Sequence, residues 1–272
     1  MTDAGVRGTM GTAAASSPVI HAQDLEKIYE SRDGDSIQAL GPLSFDIAPG
    51  EFITIVGMSG CGKSTLLKLL AGLIGRTSGT LQVRGNDLNG PQRDIGMVFQ
   101  DSVLLAWRTV IDNVLLPAEV LGLDRKASRT RAIELLETVG LEDFAQKYPR
   151  ELSGGMQQRV SIARALLHEP KILLMDEPFG ALDAMTRESM SLEILRIWEA
   201  TQKTIVFVTH SITEAVLLAN RVIVLSSRPG RIAEIVKIDL PPSRNLNMIN
   251  SEKFGVYSAR IRELLESSTR AQ

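Results

Sequence analysis

The run Gly57-Met58-Ser59-Gly60-Cys61-Gly62-Lys63-Ser64-Thr65 constrains this chain more than any other stretch. Before it stands the apolar, β-branched segment Phe52-Ile53-Thr54-Ile55-Val56, and after it Leu66-Leu67-Lys68-Leu69-Leu70-Ala71, a helix-forming composition. Strand, glycine-rich turn, helix is the setting of a P-loop. Glycines at 57, 60 and 62 let the backbone curl so that successive N–H groups converge on phosphate oxygens. The positive end of the following helix adds to that attraction. In such a loop Lys63 reaches the β- and γ-phosphates and the Ser64 hydroxyl ligates Mg²⁺. The expectation is a nucleoside triphosphate held by Gly57 through Thr65.

The remaining composition narrows the setting. The chain has 272 residues, 44 % hydrophobic and 23 % charged, enough for one large α/β domain or two small ones. A net charge of −2 supplies no electrostatic argument for nucleic acid or anionic lipid as a partner. The single cysteine, Cys61, rules out an intramolecular disulfide and fits a reducing compartment. Its place in the loop suggests a thiol whose alkylation would block nucleotide; the plainer alternative is a small side chain that fits there. No apolar run approaches the ~20 residues of a membrane span, so a partner would supply one. Residues 1–18 are rich in Gly, Ala, Ser and Thr without an apolar core, and read as a disordered tail rather than a secretion signal.

Along the chain, Val19–Tyr29 and Ile37–Ile47 read as antiparallel strands ahead of the P-loop strand. Further strands are expected over 79–85 and 95–100. Apolar residues then recur at helical spacing from Val110 to Val139, with Gly140 as a stop, so a helical insert is expected over about 101–158. Unbroken apolar strands return at 172–175, 204–208 and 221–225, with helices between them. That pattern implies a parallel sheet covered on both faces. An edge strand over 232–240 would close residues 19–240, leaving a C-terminal extension, 241–272, with a helix over about 251–267.

Hydrolysis needs more than a cradle: a second metal contact, a group that orients or deprotonates water, and a group at the γ-phosphate. Asp176 ends the buried strand 172–175 at the carboxyl edge, where parallel sheets bind ligands, and would hold Mg²⁺. Glu177 would be the base. His210 and Gln100 end other strands and should arrive at the same rim, Gln100 with an amide able to reach metal and water. A second glycine-rich helix start, Ser153-Gly154-Gly155, offers another phosphate-seeking N-terminus, yet only one lysine-bearing loop exists. Two such helix ends with one cradle suggest sites completed between two copies.

With these residues in place, 19–240 resembles the ATP-binding subunits of ABC transporters. Leu152–Arg159 is similar to the family's signature, Gln100 to its Q-loop, Ala181-Leu182-Asp183 to its D-loop and His210 to its switch histidine. Tyr29 stands where the family stacks an aromatic ring on adenine. The resemblance implies a P-loop NTPase (RecA-like) core with an antiparallel β-subdomain and an inserted α-helical subdomain. It implies ATP and Mg²⁺ as cofactors, and a head-to-tail homodimer in which Ser153 and Gly155 of one copy close over ATP on the other. It further implies transmembrane permease subunits docked on the helical insert near Trp107, a solute-binding protein outside, and a place on the cytoplasmic side of the membrane. Arg228-Pro229-Gly230-Arg231-Ile232, with 96–100 and 179–183, resembles the nitrate/sulfonate/taurine importer group. Met58 stands where proline is usual, Ser211 where aspartate is usual, and Ala106 where proline is common; none removes a reacting group. An exporter subunit, or a non-transport ABC ATPase of repair or translation, is the alternative. The long coiled-coil inserts or tandem cassettes usual in the latter are missing here.

Overall fold

A computed structural model describes residues 17–30, 35–241 and 243–270. The tail expected at the start of the chain falls almost wholly on residues 1–16, outside the described residues. Strands β1 (Ile20–Glu30), β2 (Ser36–Ile47), β4 (Ser78–Val83) and the short β5 (Asn86–Asp87) form an antiparallel sheet in the order β2-β1-β4-β5. The larger sheet holds β3 (Phe52–Val56), β6 (Ile95–Val98), β7 (Ile172–Asp176), β8 (Thr204–Val208), β9 (Arg221–Leu225) and β10 (Ile232–Lys237). Its order is β10-β9-β3-β8-β7-β6, parallel except for the antiparallel edge strand β10.

Strands β3, β7 and β8 are buried along their whole length because both faces of the sheet are covered. Phe52, Val56, Leu173, Met175, Ile205 and Phe207 face one core; Ile53, Ile55, Ile172, Leu174, Val206 and Val208 face the other. The period of two along each strand divides the apolar residues between two layers. One core packs α1 (Lys63–Leu70) and the antiparallel sheet against the parallel one. The other receives α2 (Val110–Leu121), α3 (Arg125–Thr138), α4 (Gly154–Leu166), α5 (Ala184–Thr201), α6 (Ile212–Leu218) and α7 (Glu252–Arg270).

Three expected boundaries shift. The helical pattern of 110–139 is two helices, because Gly122 caps α2 in the left-handed region (φ 67°) and Asp124 caps α3 by accepting from the Ala127 N–H at 2.7 Å. The edge strand ends at Lys237 rather than Leu240. Strand β6 ends at Val98, so Gln100 lies in the loop beyond it. The C-terminal helix is present and longer than expected. Arg244, buried in the segment before it, donates to the Leu217 and Ala219 carbonyls at 2.9 and 2.7 Å, tying the extension to the end of α6.

Candidate active site

Strand β3 lies between β8 and β9, with β7 beyond β8, so the carboxyl ends of β7, β8 and β3 are neighbours on one rim. From β3 the chain next joins this sheet at its far edge, β6, returns through β7 and β8, and then crosses to β9 on the other side of β3. Such a reversal opens a crevice at the strand ends, the usual ligand position in an open α/β sheet.

The loop after β3 enters α1 through Gly62 at φ 103°, with no side-chain cap on the helix. By contrast Thr109, Asp124, Ser153, Asp183 and Ser211 cap α2 to α6 with their own side chains. The first N–H groups of α1 are therefore left for a ligand, in the geometry that suits phosphate. A side chain at Gly62 would be barred twice, by its φ and by Leu40, whose Cδ2 lies 2.6 Å from where a Cβ would stand.

Lys63 is buried, and its Nζ donates to the Gly57 and Met58 carbonyls at 2.9 and 3.1 Å, arching back over the loop. Ser64 donates its hydroxyl to Asp176 Oδ1 at 3.0 Å. A hydroxyl and one carboxylate side by side form the hard oxygen set that Mg²⁺ accepts, the rest of its shell being water and phosphate. Burial pushes the Asp176 carboxyl above its ordinary range, against the opposing hydrogen bond from Ser64.

Glu177 leaves the line of β7 at φ 44°, with its N–H donating to the Val208 carbonyl at 3.0 Å. That left-handed turn is disfavoured for a non-glycine residue, and it aims the carboxylate along the rim. Glu177 Oε1 stands 4.0 Å from Lys63 Nζ, and Oε2 stands 3.1 Å from His210 Nδ1. A cleft of about 510 Å³ is lined by Tyr29, Ser59, Gly60, Gly62, Lys63, Ser64, Thr65, Gln100, Glu177 and Arg228, together with Ile37 and Ala39. The structure thus brings Tyr29, the loop, Asp176, Glu177, His210 and Gln100 together. Gly57 lies buried under the loop and Met58 is exposed at its crest.

Of the two readings of Cys61, the structure supports the plainer one, a small side chain that fits. Its side chain is 1 % exposed and packs in the core beneath the loop, and burial holds the thiol above its ordinary pKa. A protonated, enclosed sulfur is a poor nucleophile.

Ser153, Gly154 and Gly155 do not line that cleft. Ser153 and Gly154 are exposed at the start of α4, and Ser153 Oγ accepts from the Met156 N–H at 3.3 Å. Gly155 packs against the 181–183 turn, where a Cβ would meet Leu182 Cδ2 at 2.9 Å.

Several positioning residues escaped the sequence reading. Gln158, buried on α4, donates to the Phe99 carbonyl at 2.9 Å, and Arg164 donates to the Ser102 and Val103 carbonyls, both at 2.8 Å. The helix that starts at Ser153 thereby grips the loop carrying Gln100. Asn113, fully buried, takes the Leu105 N–H at 2.7 Å and donates to the Leu105, Arg108 and Thr109 carbonyls. That clamp presents Trp107, 75 % exposed, on the outer surface. Glu214, also buried, accepts from the Thr209 hydroxyl at 2.6 Å beneath His210. Single polar residues inside apolar helices carry no signal beyond their placement.

Known proteins are similar to this chain in sequence and fold. A family profile described as ABC transporter matches residues 40–180. A nitrate import ATP-binding protein of Synechocystis sp. is 46% identical over 248 residues, covering 89% of this chain and 93% of that protein. A taurine import ATP-binding protein of Rhizobium johnstonii is 44% identical over 247 residues, covering 88% and 94%. A dimeric ATP-binding cassette solved in a post-hydrolysis state with ADP and Pi superposes with a TM-score of 0.75 at 34% identity, covering 82% of this chain and 100% of that one.

Proposed function

The chain belongs to the ABC transporter family, and from that membership we propose that it is the ATP-hydrolysing subunit of an importer. It couples a pair of ATP sites to transmembrane permease subunits. The convergence of Lys63, Glu177 and His210 on the uncapped start of α1 carries the catalytic part of the reading.

Each side chain has a task that its position supports. Backbone N–H groups of the loop and Lys63 hold the phosphate chain, and Tyr29 offers a half-exposed ring for the base. Ser64 and Asp176 are the protein's contribution to a Mg²⁺ site, with Gln100 reaching from the loop after β6. When bound, the ion neutralises charge on the β- and γ-phosphates. Glu177 accepts a proton from the attacking water and His210 holds its other carboxylate oxygen. Ser153 and Gly155 lie outside the chain's own cleft and close the site of a second copy, head to tail. The clamp on Trp107 supports permease docking on the helical insert, residues about 101–158, within an ATPase domain of 19–240. Among the described residues no helix is long and apolar enough to cross a membrane, so the span belongs to the permease. Work at the cytoplasmic side of the membrane and delivery by an external solute-binding protein follow from that reading. The cargo is a small anion or organic solute such as nitrate, a sulfonate or taurine, by similarity to relatives named for such import.

Glu177→Gln tests the chemistry. ATP binding is expected to persist while turnover falls at least ~100-fold, as for loss of a general base; turnover near that of the parent chain would remove Glu177 from that role. Purification from native membranes in mild detergent tests the coupling. A multi-span permease should accompany the chain. Recovery alone, or with nucleic acid or ribosomes, would leave the ATPase standing and overturn the transport reading.

A further inference from the structure

Arg228 is the unassigned cation of the cleft. Among the described residues that line it, Lys63 and Arg228 are the only cations and Glu177 the only carboxylate, with Asp176 behind Ser64. Arg228 is exposed and enters no ion pair or hydrogen bond among the described residues. A Cβ built on Gly60 would stand 3.9 Å from its Nη2, so the guanidinium lies across the phosphate loop from the side opposite Glu177's strand.

The turn that carries Arg228 is braced on three sides. Gly230 donates to the Ala39 carbonyl at 3.1 Å and accepts from the Gly41 N–H at 2.9 Å, fixing the turn to β2. Ser226 and Arg231 close it, through the Ser226 N–H to the Arg231 carbonyl at 2.8 Å and the Arg231 N–H to Ser226 Oγ at 3.1 Å. Ser227 donates to the Ser268 carbonyl at 2.7 Å, pinning the turn to α7. Gly230 also lies directly on the phosphate loop, for a Cβ there would meet the Cys61 carbonyl oxygen at 2.1 Å. The turn is therefore packed directly against the phosphate loop.

We propose that Arg228 is a nucleotide-contacting residue, a second cation on the phosphate chain beside Lys63. The inference rests on the ATP-site reading above. Lys63 and Glu177 alone leave the lining without net positive charge, and Asp176 adds a further negative one. Arg228 offsets that deficit with a planar fork suited to paired phosphate oxygens. Its exposure, on the side of β3 away from Glu177's strand, places it at the mouth of the cleft.

The test is calorimetric titration of the full-length chain with MgADP, which needs no closed dimer. Arg228→Ala is expected to weaken MgADP binding roughly tenfold and to flatten its dependence on salt, since one charge contact is lost. Arg228→Lys should recover part of the affinity and the salt slope, and Arg228→Gln should not, at unchanged melting temperature in both. MgADP affinity and salt slope equal to the parent chain's would overturn the assignment. So would unchanged MgADP affinity with loss of ATP-driven dimerisation, which would make Arg228 a contact of the partner subunit. In the same assay Lys63→Ala should abolish binding. If it does while Arg228→Ala matches the parent, only this inference falls; if the parent binds no nucleotide, both readings fall.

Discussion

Asp176, which we propose as a Mg²⁺ ligand, sits where burial opposes its charge. Its carboxyl is 5 % exposed, accepts one hydrogen bond from Ser64, and is held above its ordinary range by burial. The folded chain therefore retains this proton to a higher pH than the unfolded chain does. Between the two values the folded state binds more protons, so stability falls as pH rises through that window. Glu214, buried beneath His210 and raised for the same reason, acts in the same direction. Asp176→Asn keeps an acceptor for the Ser64 hydroxyl and removes the buried charge. In nucleotide-free protein near neutral pH it should raise the melting temperature by about 2–4 °C, for ~1 kcal/mol in a domain of this size. It should also reduce the fall of stability with pH, while Mg²⁺-dependent turnover drops. Melting curves taken over a series of pH values read this directly. A lower melting temperature in the variant would mean that the buried carboxylate is fully compensated in the fold.

Among the elements, those whose conformation is dictated by their own residues were legible in advance. Strand β3 was read as Phe52–Val56 and is found there, because β-branched residues buried on both faces leave no other register. The same holds for β8 and β9 at 204–208 and 221–225. Asp176, Glu177 and His210 could be sent to one rim because each follows such a strand and parallel strands share a carboxyl edge. What stayed illegible depends on contacts far apart in the chain. Gln158 holding the Phe99 carbonyl spans 59 positions, and Ser227 holding the Ser268 carbonyl spans 41. No periodicity encodes either pair. The turn 228–231 was visible only as a subgroup resemblance; its place over the phosphate loop required the pairing of Gly230 with Ala39 and Gly41. Cys61 stayed open between a reactive thiol and a small packed side chain for a related reason. Its loop position was evident, but the direction of its side chain, into the core beneath, is set by packing against the sheet.

At the scale of the whole molecule the cleft is half a site. The phosphate loop and Glu177 line it, with Asp176 bonded to Ser64 and His210 to Glu177, while the start of α4 with Ser153 is exposed and outside its lining. A chain with a cradle and a detached second phosphate-seeking helix end is satisfied by a symmetric pair, each copy lending α4 to the other. The arrangement can be told from a self-contained site by mixing two defective variants. Lys63→Ala disables the cradle, and Ser153→Arg disables the closing helix by bulk and charge. Alone, neither variant can complete a site, so neither should trap ATP when Glu177→Gln is added to block turnover. In an equal mixture heterodimers become possible. One site of each combines both defects, and the other combines an intact Lys63 with an intact Ser153. From about a quarter of the sites, for random pairing, to about half, for pairing driven by ATP, should therefore trap ATP. If each chain built its own complete site, every site would still carry its own defect and mixing would recover nothing. Radiolabelled ATP retained through gel filtration measures the fraction, and the recovery must vanish when both substitutions are placed in one chain and mixed with itself.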